Sequence, residues 1–186
     1  MATYVTVPEG RLTLIDIMMA DAPRPGGDSV HFLRYGVKAG LDVGVGYWET
    51  PGRLRPAVNW QCVSARNGRP AVLIGYGSEP LGKWQDDGAY LSLVKGFGSR
   101  RHPIYVFAAF FHVIDGGTNH LIGGVSQVLG QRWSVFVGQY PFHTWDASVN
   151  FQVSPRLQLG IWACDVGRSP RLGVSIGRGW SVRSRS

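Results

Sequence analysis

The chain has 186 residues, 44% of them hydrophobic but only 17% charged, against roughly 25% charged in ordinary soluble domains. That length suits one domain with a sizeable core, and no composition shift or Pro/Ser-rich linker divides it, so residues 1–186 read as a single domain with a short extension over about 1–10 and a basic tail over 181–186. The formal charge is +7, and the longest uninterrupted apolar run, Ile104 to Phe111, is far short of the roughly 18 residues of a membrane-spanning helix, so any membrane crossing must use strands.

Twelve segments with period-2 alternation or β-branched and aromatic enrichment follow one another about every 15 residues, separated by Gly/Pro/Asn/Asp clusters. In chain order they lie near residues 11–19, 29–37, 41–48, 56–64, 71–77, 89–97, 104–113, 121–129, 133–140, 147–153, 156–164 and 171–180. Several approach the roughly 9–11 residues that a tilted strand needs to cross a bilayer. No segment carries a helical period.

The third segment, Leu41-Asp42-Val43-Gly44-Val45-Gly46-Tyr47-Trp48, sets the pattern for the rest, because successive side chains of a strand point to opposite faces. One face is greasy and the other is small and polar, with few of the Lys and Glu residues that a sheet face in bulk water usually carries. The tenth segment (Ser148, Val149, Asn150, Phe151, Gln152) and the twelfth (Val174, Ser175, Ile176, Gly177) repeat it. An enclosed polar face and a lipid-facing apolar one are therefore expected. On that assignment Val43, Val45, Val149, Phe151, Leu159, Ile161, Val174 and Ile176 face lipid. The lumen is lined by Asp16, Asp42, Gly44, Gly46, Asn59, Gln61, Ser92, Ser148, Asn150, Gln152, Gln158 and Gly160.

Connections sort by parity. Those after even-numbered segments are mostly short, and Asn67-Gly68 among them is a favoured two-residue hairpin turn. Those after odd-numbered segments are longer and richer in Pro and Asp, as in 20–28, 49–55, 78–88 and 141–146. An antiparallel up-and-down β-barrel with short turns at one end and long loops at the other follows. The short-turn end collects Lys38, Arg66, Arg69, Arg100, Arg101, Arg132 and Arg156, together with Arg183 and Arg185 of the tail, which makes a basic rim suited to anionic lipid headgroups.

The hairpin Arg34-Tyr35-Gly36-Val37 through Leu41-Asp42-Val43-Gly44-Val45-Gly46 resembles the hairpins of bacterial porin-like outer-membrane β-barrel proteins. The closing Leu172-Gly173-Val174-Ser175-Ile176-Gly177-Arg178-Gly179-Trp180 is similar to their aromatic-terminated last strand, which in that class is read by the barrel insertion machinery. The resemblance implies a transmembrane barrel in a bacterial outer membrane, with membrane lipids and small solutes or ions as partners and a narrow passive pore as its function. No charged n-region followed by an apolar stretch and a small-residue cleavage site opens the chain, so a leader outside these residues or another export route is expected.

Aromatics near segment ends (Tyr47, Trp48, Tyr76, Trp84, Phe97, Tyr105, Trp133, Tyr140, Trp145 and Trp180) suit interfacial girdles, whereas Trp60 and Trp162 fall mid-segment. The core of a soluble barrel would use the same residues. His31, His102, His112, His120 and His143 are scattered, none in a nucleophile setting, so no enzyme is expected. Metal-ligand spacing is lacking, so no metal or cofactor is expected, and Cys62 and Cys164 fall too far apart in segment order to bridge. The arginines lack interleaved stacking aromatics, which argues against nucleic acid. Alternatives left open are a soluble barrel binding an apolar ligand, a structural barrel whose greasy exterior packs against copies of itself as a homo-oligomer, and an outer-membrane enzyme.

Overall fold

The computed structural model describes residues 6–19, 29–49, 52–66, 68–77, 88–99, 101–114, 116–140, 144–167 and 170–182. Twelve strands occur: β1 (Arg11–Met19), β2 (Val30–Lys38), β3 (Leu41–Trp48), β4 (Arg53–Val63), β5 (Ala71–Tyr76), β6 (Gly88–Gly98), β7 (Pro103–Val113), β8 (Asn119–Leu129), β9 (Trp133–Tyr140), β10 (Thr144–Ser154), β11 (Leu157–Val166) and β12 (Arg171–Ser181). Each pairs antiparallel with its chain neighbours, and β1 closes on β12 in a register running from Arg11↔Ser181 to Met19↔Gly173. Closure removes the sheet edges, so every strand has ladder partners on both sides. Because the strand number is even, β1 starts and β12 finishes at the same, short-turn end, where the Val182 amide donates to the Gly10 carbonyl at 2.7 Å.

The short turns use the backbone their residues allow. Gly40, at φ 78, turns β2 into β3, a left-handed conformation that glycine adopts without steric cost. Register shifts at Gly36/Lys38, Gln61/Val63 and Gln152/Ser154 fall next to short turns and a fourth, Trp145/Ala147, lies at the long-loop end, as expected of bulges at barrel rims. Strands β4, β8 and β10 begin two to three residues before the segments expected from alternation, because Arg53–Arg55, Asn119–His120 and Thr144–Asp146 pair in the ladder although they break the apolar rhythm. Pro56 is tolerated inside β4 because it lies two positions past the last β4–β5 pair, Val58↔Tyr76, where one flank has no ladder. The loop expected over 20–28, positions 78–87 and 141–143 of the loops expected over 78–88 and 141–146, the Asn67 turn position, and Arg100, Trp84, His143, Arg183 and Arg185 lie outside the described residues.

Burial alternates along the strands and identifies the two faces. Val149 is 46% exposed while its neighbours Ser148 and Asn150 are 4% and 8% exposed. Leu33, Val43, Leu121, Leu159, Ile161 and Val174 are likewise exposed on the outer wall, far more apolar surface than a soluble monomer presents. Exposed outward aromatics form two tiers: Tyr47, Tyr76 and Trp145 at the long-loop end, and Phe97, Trp133 and Trp180 at the short-turn end, whereas Tyr105, cross-strand from Gly96 and Ser126, faces the mouth of the barrel. This is the exterior of a transmembrane β-barrel. Trp60 is also on the outer wall, whereas Trp162 points inward and its indole Nε1 donates to Ser175 Oγ at 2.8 Å.

Candidate functional site

The candidate site is the barrel interior, and its hub is Asp42, the second residue of β3. The carboxylate is fully buried and takes four hydrogen bonds. Arg34 of β2 grips it bidentately, Nε donating to Oδ1 at 2.9 Å and Nη2 to Oδ2 at 2.7 Å. Asn59 Nδ2 of β4 donates to Oδ1 at 2.8 Å, and the Val7 backbone N–H donates to Oδ2 at 2.8 Å. Tyr90 of β6 extends the network by donating its hydroxyl to Asn59 Oδ1. Charges out of water persist only when paired and hydrogen-bonded, and this one is.

The alternating glycines give these long side chains their room. Gly44 lies opposite Arg34 in the β2–β3 register, and a Cβ there would meet the Arg34 Cγ at 2.8 Å. A Cβ at Gly75 would clash with the Tyr90 ring, which crosses that position to reach Asn59. Gly44 and Gly75 are therefore slots into which a neighbouring strand lays an Arg and an aromatic ring along the wall.

The interior is divided. On β5–β9 and β11 the inward face carries an apolar cluster that includes Leu73, Phe107, Phe111, Ile122, Phe136 and Trp162, with Phe136 6.0 Å from both the Phe107 and Trp162 ring centroids, interrupted by polar Ser92 and Ser126. Among the described residues, Phe111, Ile122, Asp42, Asp146 and Ser92 are the largest side chains with essentially no exposure, so parts of the interior are filled by side chains. At the short-turn end the interior keeps one cavity of about 160 Å³ against β1, β2 and β10–β12 and one of about 360 Å³ against β7–β11, while a further space of about 550 Å³ lies at the rim beside Arg101, His102, Pro103 and Gln131. Arg11, Arg34, Arg156 and Arg178 line the first and Arg132 the second, interspersed with Asn150, Gln152, Gln158 and Ser175.

Of the residues read from the sequence as lumen-lining, Asp42, Asn59, Ser92, Ser148 and Asn150 are buried inside the wall, Gly44, Gly46, Gln61, Gln152, Gln158 and Gly160 share the same inward alternation, and Gln61 pairs with inward Leu73. Asp16 is a correction. Its cross-strand partners are His31 and Ile176, so it points outward, while Ile15 and Ile17 face the interior. Near the long-loop rim His31 Nδ1 shares a hydrogen bond with Asp16 Oδ1 at 2.8 Å, its Nε2 faces Glu49 Oε1 at 3.3 Å, and its ring stacks on Tyr47 at 6.1 Å. Both ring nitrogens are engaged by carboxylates, which leaves neither to activate a nucleophile.

The outward residues Val43, Val149, Leu159, Ile161 and Val174 are exposed, and Val45, Phe151 and Ile176 lie on the same face, Phe151 with its ring 4.6 Å from that of Trp133. The basic rim residues Lys38, Arg66, Arg69, Arg101, Arg132 and Arg156 are exposed at the short-turn end. Cys62 on β4 and Cys164 on β11 form no disulfide, and the Cys62 thiol donates to the Val72 carbonyl at 3.4 Å. Sequence reasoning missed Arg34, the inward apolar cluster and the segment Thr6–Pro8 inside the mouth. For Arg34 a signal existed in its shared parity with Phe32 and Gly36.

No protein-family model and no curated protein matches the sequence. Solved structures do match. The COG4313 outer membrane channel from Pseudomonas putida F1 superposes with a TM-score of 0.51 at 11% identity, covering 97% of this chain and 99% of that one. A protein described as KdgM porin gives a TM-score of 0.59 at 11% identity, over 90% of this chain and 98% of that one. The fold is that of a porin-like outer-membrane β-barrel.

Proposed function

We propose that this barrel spans a bacterial outer membrane and serves as a narrow passive pore for small solutes or ions. The observation that carries the reading is the inversion of the wall: Val149, Ile161 and Leu121 lie bare on the outside while the Arg34–Asp42 pair is sealed inside. A soluble barrel with an apolar ligand would need the opposite arrangement. The description of the two structural neighbours as a channel and a porin supports transport over catalysis.

The apolar cluster around Phe111 and Ile122, which fills part of the interior, favours a small conductance. Asp42 is neutralised by Arg34, whereas Arg132 and Arg156 in the two short-turn cavities remain as a positive field that favours anions. Planar-bilayer recordings should therefore give small unitary steps with a mild anion preference, and Arg132→Gln with Arg156→Gln should lower that preference while leaving insertion intact. Well-inserted protein without any conductance would overturn the pore reading.

A further inference from the structure

The residues just ahead of β1 do not trail away from the barrel. Thr6 and Val7 are 8% and 7% exposed, inside the short-turn mouth. Gly10, at φ 68, reverses the chain between this segment and β1, and its amide donates to the Gly36 carbonyl at 2.9 Å. A parallel bridge between Glu9 and Gly36 sets the segment against β2.

Two features fit this segment to the interior. The Val7 N–H is one of the four donors to Asp42. Gly36 presents bare backbone where Pro8 passes, and a Cβ there would clash with the Pro8 carbonyl and press on the Val7 carbonyl at 2.6 Å. Thr6 and Pro8 line both the 160 Å³ and the 360 Å³ cavities, as do Gln152 and Gln158 of the wall, so the segment stands between the two spaces together with that glutamine pair.

We infer that Thr6–Pro8 is a displaceable plug of the short-turn mouth, docked on the Asp42 carboxylate and gating the pore. This rests on the pore reading above. The attachment is slight beside the ladder that holds the barrel: among the described residues, Val7 donates to Asp42 and Pro8 fits over Gly36, while the Arg11–Pro8, Gly10–Gly36 and Ala39–Glu9 hydrogen bonds hold the foot of the segment at the rim. Arg34 and Asn59 continue to satisfy Asp42 when Val7 withdraws. The segment can therefore leave without opening the sheet, and its departure widens the passage between the two arginine-lined cavities.

The test uses the full chain with Cys62→Ala and Cys164→Ala, carrying Thr6→Cys as a reporter, and compares it with the same protein bearing Gly36→Ala. A second variant, Val7→Pro, deletes the donor to Asp42 without touching any strand, so it reads the docking even if Gly36→Ala folds poorly. Reaction of the reporter with a membrane-impermeant maleimide should be slow in the parent and on the order of tenfold faster in either variant, as for any locally opened segment. Unitary conductance should rise in both. Equal labelling rates in parent and variants would overturn the plug, while a small parental conductance would leave the pore reading standing. Faster labelling with unchanged conductance would mean a docked segment that does not gate, and would overturn the proposal. No conductance in any inserted form would overturn the pore reading, and the gate with it.

Discussion

Asp42 concentrates the interior energetics in one residue. It is fully buried, and Asp42→Ala would strand the Arg34 guanidinium, itself 5% exposed, without its counter-charge. Breaking one partner of a buried pair costs about 3–5 kcal/mol, so Asp42→Ala should lower the unfolding free energy in lipid vesicles by about that amount. Arg34→Met combined with Asp42→Leu should recover part of the loss, since an apolar pair of similar volume no longer buries charge. A single and a double variant of equal stability would argue that the pair is not the anchor of the network. The period-2 rhythm made Asp42 and Asn59 legible as interior residues, but not their partner. Arg34 bonds across β2–β3 to a residue two positions along from its register partner Gly44, information that only the pairing supplies. Asp16 was misread for a related reason. In Leu12-Thr13-Leu14-Ile15-Asp16-Ile17 both alternating sets are largely apolar, so periodicity cannot choose a face, and pairing with His31 decides it.

The twelve strands themselves were readable because alternation and turn chemistry agree at almost every junction. Strand β7 is the instructive exception. Ile104 to Phe111 is apolar on both faces, so the sequence announces a strand but not an orientation. The structure turns Phe107 and Phe111 inward, 3% and 1% exposed, and leaves Phe110 outside at 48%. The inward pair joins a packed cluster, which makes half of the interior a core rather than a wet channel wall. Phe111→Ala should therefore open a cavity and cost about 3–5 kcal/mol, with Phe110→Ala giving a clearly smaller loss, both measured by denaturant unfolding. Equal losses would mean that Phe111 faces open lumen.

At the scale of the whole molecule, function follows from which side of the wall is greasy. The closed β1–β12 seam and the two aromatic tiers fit a barrel held at two interfaces, with its arginine-rich turns gathered at one end. Val149 and Asn150 offer the sharpest discrimination, because they are neighbours midway along β10 and point oppositely. Val149 is 46% exposed, whereas Asn150 borders the 160 Å³ cavity, which has room for a longer side chain. The decisive measurement is folding yield and stability in lipid vesicles for Val149→Arg and Asn150→Arg beside the parent. A lipid-facing Val149 near the midplane makes the first change cost about 2–4 kcal/mol, while the second should insert normally and alter only conductance. Normal insertion of Val149→Arg together with failure of Asn150→Arg would contradict the account.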